Sequence, residues 1–221
     1  MKRIFILAIA ALAALLVPAS FTDKEPADAA ALGELLFFDP ILSADSTISC
    51  ASCHRPAFAF SDTSAVSAGV LGRKGVRNTP SSMNVRLQQS FFWDGRAKDL
   101  EDQALAPIGN PLEMNLRVDT ALLRLRNNSA YRHYFKKIFR TEPDRASLAA
   151  AIAAFERTLE TSDSPFDNWK FADDPHAVSD AVKRGFAVFN GKGKCVRCHF
   201  GADFTQPDFR NIGLYNGTTL N

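Results

Sequence analysis

Cysteine and histidine are scarce in this chain, whose 221 residues include only four of each. Alternating polar and apolar residues, which mark half-buried strands, are nearly absent, and this argues against a fold built on a sheet. Neither sign of charge is in large excess, because 26 basic residues face 24 acidic ones. The composition therefore gives no reason to expect nucleic acid or an anionic membrane as a partner.

The first twenty residues have the layout of a secretory signal peptide, with Lys2 and Arg3 before an apolar run over 4–17 and small residues at its exit. The apolar run is too short to span a bilayer comfortably, so we expect cleavage near residues 19–20 rather than a permanent membrane anchor. We therefore predict a signal peptide over 1–20 and an exported protein. Removal of Lys2 and Arg3 would leave 24 basic residues against 24 acidic ones.

All four cysteines and two of the four histidines fall in two pentapeptides, CASCH at 50–54 and CVRCH at 195–199. Two cysteines at this spacing can add to the two vinyl groups of one haem, and the adjacent histidine can then coordinate the iron. Each pentapeptide therefore predicts a covalently bound haem c. The residues that would hold the two haems are Cys50, Cys53 and His54, and Cys195, Cys198 and His199.

A zinc site, a redox-active cysteine pair and a disulfide are the alternative uses of these pentapeptides. A structural zinc site needs four protein ligands, which neither pentapeptide supplies alone. A redox pair of the thioredoxin type would begin a helix after a strand of a βαβ unit, and the sequence does not indicate one.

Helix-forming composition and apolar spacing predict five helices, over 29–38, 119–127, 129–139, 146–159 and 178–189. Glycine, serine and arginine without a period predict an ordered loop over 63–82, with a flexible linker as the alternative. Residues 161–175 are rich in serine, aspartate and proline and predict a connection between domains. We expect an all-α fold with two cytochrome-c-like haem domains, 21–163 and a partial, incomplete one at 164–221.

Several further motifs occur in order along the chain, and together with the two pentapeptides they carry a resemblance. They are GELLFFDP at 33–40, ISCASCH at 48–54, GVRNTP at 75–80, FWDGR at 92–96, NPLEM at 110–114 and FRNIGL at 209–214. This pattern resembles bacterial di-haem cytochrome c peroxidases and the related MauG-type enzymes. The resemblance runs from about residue 32 to the chain end.

The resemblance implies that the haem of His54 is the one where peroxide reacts and that the haem of His199 is the one where electrons enter. It implies that Glu113 is the distal carboxylate and Gln103 the distal amide of the first haem. A carboxylate there can move a proton between the two oxygens of peroxide, which is typically worth about 10²–10⁴ in rate. From the residues alone, a surface acid near a turn would be the preferred interpretation of Glu113.

The resemblance also implies that Trp93 lies between the two haems and that Asn78 is a ligand of a calcium ion. A lone tryptophan is more often part of a hydrophobic core. Asn78 alone would be a turn residue, and calcium would need several further oxygen ligands.

The sequence departs from the family pattern at two places. Val70 stands where many relatives carry a histidine that caps the resting iron, so we expect an iron that peroxide can reach without reductive activation. In addition, the 22 residues after His199 contain no methionine, histidine or cysteine to serve as the sixth ligand of the second iron. Tyr215 is too close to the motif for that role. We therefore expect a chain truncated at its C-terminal end, or completed by a partner chain.

The function that the resemblance implies is a periplasmic peroxidase that reduces hydrogen peroxide to water. Its electrons would come from a small c-type cytochrome or a cupredoxin, which the basic residues Lys192, Lys194 and Arg197 could help to bind. A homodimer is implied by the family only. The alternatives are a di-haem electron-transfer cytochrome, a MauG-type oxidase acting on a protein, and an inactive fragment.

Overall fold

The computed structural model describes residues 25–210 and residue 213, so the predicted signal peptide and Tyr215 lie outside the described residues. Within this part of the chain the fold is helical, and strand pairing is limited to isolated bridges. None of the helices described is long and apolar enough to cross a membrane. The α-helices are α1 (Ala29–Phe38), α2 (Cys50–Cys53), α3 (Leu100–Gly109), α4 (Val118–Asn127), α5 (Ser129–Phe139), α6 (Arg145–Glu156), α7 (Pro165–Phe171) and α8 (Asp180–Asn190).

The helix ends follow from local capping chemistry. The Asp28 carboxylate accepts a hydrogen bond from the Ala31 amide and so caps α1, which ends just before Pro40. Asp144 and Ser147 form a reciprocal capping box at the start of α6. The predicted all-α class is confirmed, and the predicted helices agree with α1, α4, α5, α6 and α8 to within three residues at each end.

The main core lies where α1 crosses α6. Gly33 allows this contact, because a Cβ atom at that position would lie 1.8 Å from the carbonyl oxygen of Ala151. Leu32, Leu36 and Ile152 are buried beside it, and α3 also packs against α6. The packed helices α1 and α6 therefore form the centre of the main core.

The segment after α1 is fastened to α4 by a single side chain. The Arg124 guanidinium donates hydrogen bonds to the carbonyl oxygens of Ile41, Ser43 and Ala44, at 3.0, 2.6 and 2.8 Å. These bonds hold the chain in place shortly before it reaches α2.

The segment 161–175, predicted to connect two domains, contains a helix that the sequence analysis did not predict, α7. Ser164 caps this helix through the Asp167 amide, and Pro165 occupies its first turn, where a missing N–H costs nothing. Serine and proline therefore act here as helix-start residues. None of the residues of α7 and α8 is buried, and their aromatic side chains pack on one another. The division into domains at 163/164 stays a prediction.

Candidate functional site

The first pentapeptide forms a single helical turn, α2, which places Cys50 and Cys53 on neighbouring positions of that turn. At its start the Ser49 amide donates to the Ser52 hydroxyl at 2.9 Å, and the Ser52 amide donates to the Ser49 carbonyl oxygen at 3.0 Å. All four cysteines of the two pentapeptides are free thiols, so no disulfide joins them. Burial raises the pKa of the Cys50 thiol to about 12 and also raises the pKa of Cys53.

The ring of His54 is held through one of its two nitrogens. Its Nδ1 atom lies 3.0 Å from the Phe60 carbonyl oxygen and 2.9 Å from the Ser82 hydroxyl. Donation from Nδ1 to a carbonyl leaves Nε2 as the nitrogen with a free lone pair, which is how ligating histidines are oriented in metal sites. Burial lowers the pKa of His54 and so favours the neutral ring that an iron ligand requires.

The loop around Val70 lies against the loop that carries Glu113. The Val70 amide donates to the Glu113 carbonyl at 2.9 Å, and Arg73 donates to the Pro111 carbonyl at 3.1 Å. Gly69 makes the approach possible, since a Cβ atom there would lie 2.2 Å from the carbonyl oxygen of Leu112. Val70 itself is buried, and the predicted ordered loop over 63–82 is confirmed here by these bonds.

Glu113 is partly buried and is oriented by Asn110, whose side-chain amide donates to the Glu113 carboxylate at 2.6 Å. Burial raises the pKa of Glu113, and the bond from Asn110 partly opposes this rise. The negative charge of Glu113 contributes to the raised pKa of both Cys50 and Cys53. Glu113 therefore stands within electrostatic reach of the first pentapeptide and is not an isolated surface acid.

Gln103 lies on α3, and its side-chain oxygen is buried without a hydrogen-bond partner. A buried amide oxygen without a partner is costly unless another group completes its bonding. Among the described residues two further side chains have such an atom, the carboxylate of Glu156 at the end of α6 and the amide nitrogen of Gln206. The charge of Glu156 also contributes to the raised pKa of Cys50, which places it beside the same pentapeptide.

Trp93 is not part of a core, because 62% of its surface is exposed. The Arg77 guanidinium lies over the indole, 5.2 Å from the ring centroid. The same turn holds Gly95, at φ +67°, where a Cβ atom would meet the Phe209 ring at 2.4 Å. Trp93 therefore stands on a turn that touches the segment following the second pentapeptide.

The second pentapeptide repeats the arrangement of the first with less burial. The Nδ1 atom of His199 lies 3.1 Å from the Phe204 carbonyl oxygen, so Nε2 is again the nitrogen left for a ligand bond. Cys195 and Cys198 are exposed. The Phe204 ring also lines an open apolar cavity of about 310 Å³, together with Phe166, Val182, Gly185, Phe186 and Phe189.

The residues present therefore fit a haem at each pentapeptide. Each has two free thiols and a histidine whose Nδ1 bond leaves Nε2 for the iron. The first has a carboxylate within electrostatic reach, and the second has aromatic rings that line a cavity. A zinc site does not fit, because the described residues contain no group of three or more His, Cys, Asp or Glu side chains arranged to hold a metal ion. Asn78 is exposed, and its calcium role stays a prediction.

Comparison with known proteins identifies the family of this chain. The family described as "Di-haem cytochrome c peroxidase" matches residues 27–175. The chain belongs to the di-haem cytochrome c peroxidase family. A methylamine utilization protein MauG from Methylorubrum extorquens is 42% identical over 194 residues, 86% of this chain and 54% of that protein. A cytochrome c551 peroxidase from Nitrosomonas europaea is 38% identical over 201 residues, 90% of this chain and 59% of that protein.

Solved structures agree with this membership of the di-haem peroxidase family. A crystal structure of a MauG-like protein associated with microbial copper homeostasis has a TM-score of 0.72 and 31% identity, covering 82% of this chain and 55% of that one. The chain thus spans about half the length of the solved relative and between 54% and 60% of the first three curated ones. The resemblance proposed from the motifs is confirmed.

Three residues of this site escaped the sequence analysis: Ser82, Asn110 and Glu156. Asn110 precedes Glu113 by three residues in the NPLEM motif, and that spacing could have suggested the side-chain bond between them. Ser82 gives no local signal, because it approaches His54 only through the folding of the loop. Glu156 ends an alanine-rich helix and has the sequence context of a surface acid.

Proposed function

We propose that this chain is the peroxide-reducing part of a periplasmic di-haem c peroxidase, which reduces hydrogen peroxide to water with electrons from a small redox protein. The observation that carries the proposal is Glu113, a partly buried carboxylate with a raised pKa and an oriented oxygen, within electrostatic reach of Cys50 and Cys53. A surface acid in an electron carrier would have no need of this arrangement.

Haem held by Cys50, Cys53 and His54 would supply the redox chemistry of the reaction. The protein contributes the handling of protons. Glu113 accepts a proton from one oxygen of peroxide and returns it to the other oxygen as that oxygen leaves as water. With two further protons and two electrons, each peroxide yields two waters. A carboxyl whose pKa is raised toward the working pH can both accept and release the proton, and Glu113 meets this requirement.

Gln103 and Trp93 complete the proposed machinery. The Gln103 amide would hold peroxide beside Glu113 by a hydrogen bond. The proposed electron path runs from the site of His199 past Trp93 to the site of His54. The contact of the Trp93 turn with Phe209 supports a path through this turn.

Val70 supports the peroxidase over a plain electron carrier. A carrier keeps both irons capped, and here the position of the capping histidine holds a buried valine whose loop is bonded to the loop of Glu113. A MauG-type oxidation of a protein is the second candidate function, favoured by the 42% identity to a MauG protein. The electron donor would be a small c-type cytochrome or cupredoxin, bound near the exposed residues Lys192, Lys194 and Arg197.

The proposal is tested by peroxide consumption with a reduced small c-type cytochrome as donor, using the full-length, haem-loaded protein. Glu113→Gln keeps the size of the side chain and removes the titrating group, so turnover should fall by about 10²–10⁴. Glu34→Gln changes an exposed acid of α1 and is the matched control, with turnover unchanged. Equal turnover in the Glu113→Gln variant and the parent would contradict the proposal. Oxidation of a partner protein without donor-dependent turnover would favour the MauG-type function.

A further inference from the structure

Two side-chain oxygen atoms, one on α3 and one at the end of α6, are buried and have no hydrogen-bond partner. They are Oε1 of Gln103 and Oε2 of Glu156, and the Glu156 residue is only 7% exposed. A buried acceptor left without a donor lowers the stability of the fold. The burial of both side chains therefore needs an explanation. The proposed function gives a role to Gln103 and none to Glu156.

The packing of α3 on α6 puts the two side chains on facing surfaces. Leu100 and Ala153 share one hydrophobic cluster across this interface, and Ala104 and Ile152 share another. Gln103 lies between Leu100 and Ala104 on α3, and Glu156 follows Ala153 by one helical turn. At the same end, Arg157, the residue that follows α6, and Glu101 of α3 form an ion pair with two hydrogen bonds of 2.7 Å each, which fixes the register of the two helices.

Two acceptors cannot form a hydrogen bond with each other, whereas a proton on one of them would make such a bond possible. A protonated Glu156 carboxyl becomes a donor, and the Gln103 oxygen is then its acceptor. Burial raises the pKa of Glu156 to about 7, although the charge of Arg157 opposes the rise and the charge of Glu101 adds to it. Cys50, the other titratable neighbour, does not titrate once it is joined to haem. The neutral acid is therefore the form that this interface favours.

We propose that Glu156 is a positioning residue whose protonated carboxyl donates a hydrogen bond to the Gln103 oxygen and so turns the Gln103 amide nitrogen toward the first haem site. The proposal deepens the proposed function and rests on it for the role of Gln103. The hydrogen bond from Glu156 would occupy the oxygen of Gln103. Only the N–H groups of the Gln103 amide would then remain to bind peroxide. When Glu156 loses its proton, we expect the side-chain amide of Gln103 to rotate by half a turn, because a carboxylate can only accept a hydrogen bond from the N–H group.

The first test is a double-mutant cycle on the full haem-loaded protein, read as urea midpoints at pH 5, where no peroxide is needed. Glu156→Leu and Gln103→Leu should each lower the midpoint, and the double variant should lower it by clearly less than both together. Glu156→Gln, which keeps a donor, should retain the coupling. Gln88→Leu, an exposed glutamine, should show none. Additive shifts for the pair would overturn the proposal.

The second test reads the direction of the bond from a pH titration of the absorption of the first haem. The parent should show an inflection near pH 7 that is lost in Glu156→Gln and in Gln103→Leu and is kept in Gln88→Leu. An inflection unchanged in the first two variants would overturn the proposal. Loss of coupling with normal peroxide turnover would overturn this proposal alone, whereas coupling without any turnover would contradict the proposed function and leave the hydrogen bond standing.

Discussion

The pH dependence of stability should change when Glu156 is replaced by glutamine. The folded-state pKa of Glu156 is about 7, above its ordinary value of 4.5, because burial disfavours the charged form. A raised carboxyl pKa means that the folded protein holds the proton more tightly than the unfolded chain. The stability that this contributes is fully present below pH 4.5 and is lost as the pH rises to 7.

The size of this effect follows from the two pKa values. Their separation corresponds to about 3 kcal/mol of unfolding free energy. Glu156 is only 7% exposed, so solvent screening reduces this figure little. Glutamine does not titrate, and the unfolding free energy of Glu156→Gln relative to the parent should therefore rise by up to about 3 kcal/mol between pH 4.5 and pH 8.

Urea unfolding of the haem-loaded protein at several pH values measures this difference directly, because contributions from every other titrating group cancel between variant and parent. Glu34→Gln, on the exposed face of α1, serves as the control and should show no pH-dependent difference. A constant difference between Glu156→Gln and the parent across the whole pH range would refute the reasoning and would mean that Glu156 is charged in the folded protein.

Three other changes probe the support of the site. Asn110→Ala removes the bond to the Glu113 carboxylate, so the pKa of Glu113 should rise further and the acid limb of the peroxide pH–rate profile should move to higher pH. Gly69→Ala should cost about 1–3 kcal/mol in urea unfolding, because its Cβ has no space, whereas Gly75→Ala, with open space, should leave stability unchanged. Arg124→Ala removes three bonds to carbonyl oxygens and should lower stability by about 2–3 kcal/mol.

Local chemistry explains why most helices could be predicted. The alanines and leucines of α1 stop at Pro40, and α6 carries an apolar stripe through Leu148, Ile152 and Phe155, so both helices follow from neighbouring residues alone. The helix α7 was missed because Ser164 and Pro165 are common both in loops and at helix starts, and the seven residues of α7 are too few to show a clear helical period.

The residues of the candidate site also fall into two groups, those that local motifs predict and those that only the tertiary structure brings together. The pentapeptides and Glu113 belong to short motifs, so their chemistry can be read from adjacent residues. The bond from Ser82 to His54 joins positions 28 residues apart, and the burial of Glu156 depends on where α3 packs. Such contacts arise from tertiary structure, and no local pattern reports them. Trp93 belongs partly to each group, because its motif predicted a role and only the structure shows that it is exposed.

The central claim is that the first haem site is open to peroxide and served by Glu113. It is tested most directly by absorbance and electron paramagnetic resonance spectra of the fully oxidised, haem-loaded protein before and after one equivalent of hydrogen peroxide. We expect a high-spin ferric signal that disappears within the mixing time in the parent and far more slowly in Glu113→Gln. Two low-spin haems that do not respond to peroxide would contradict it and would identify an electron carrier.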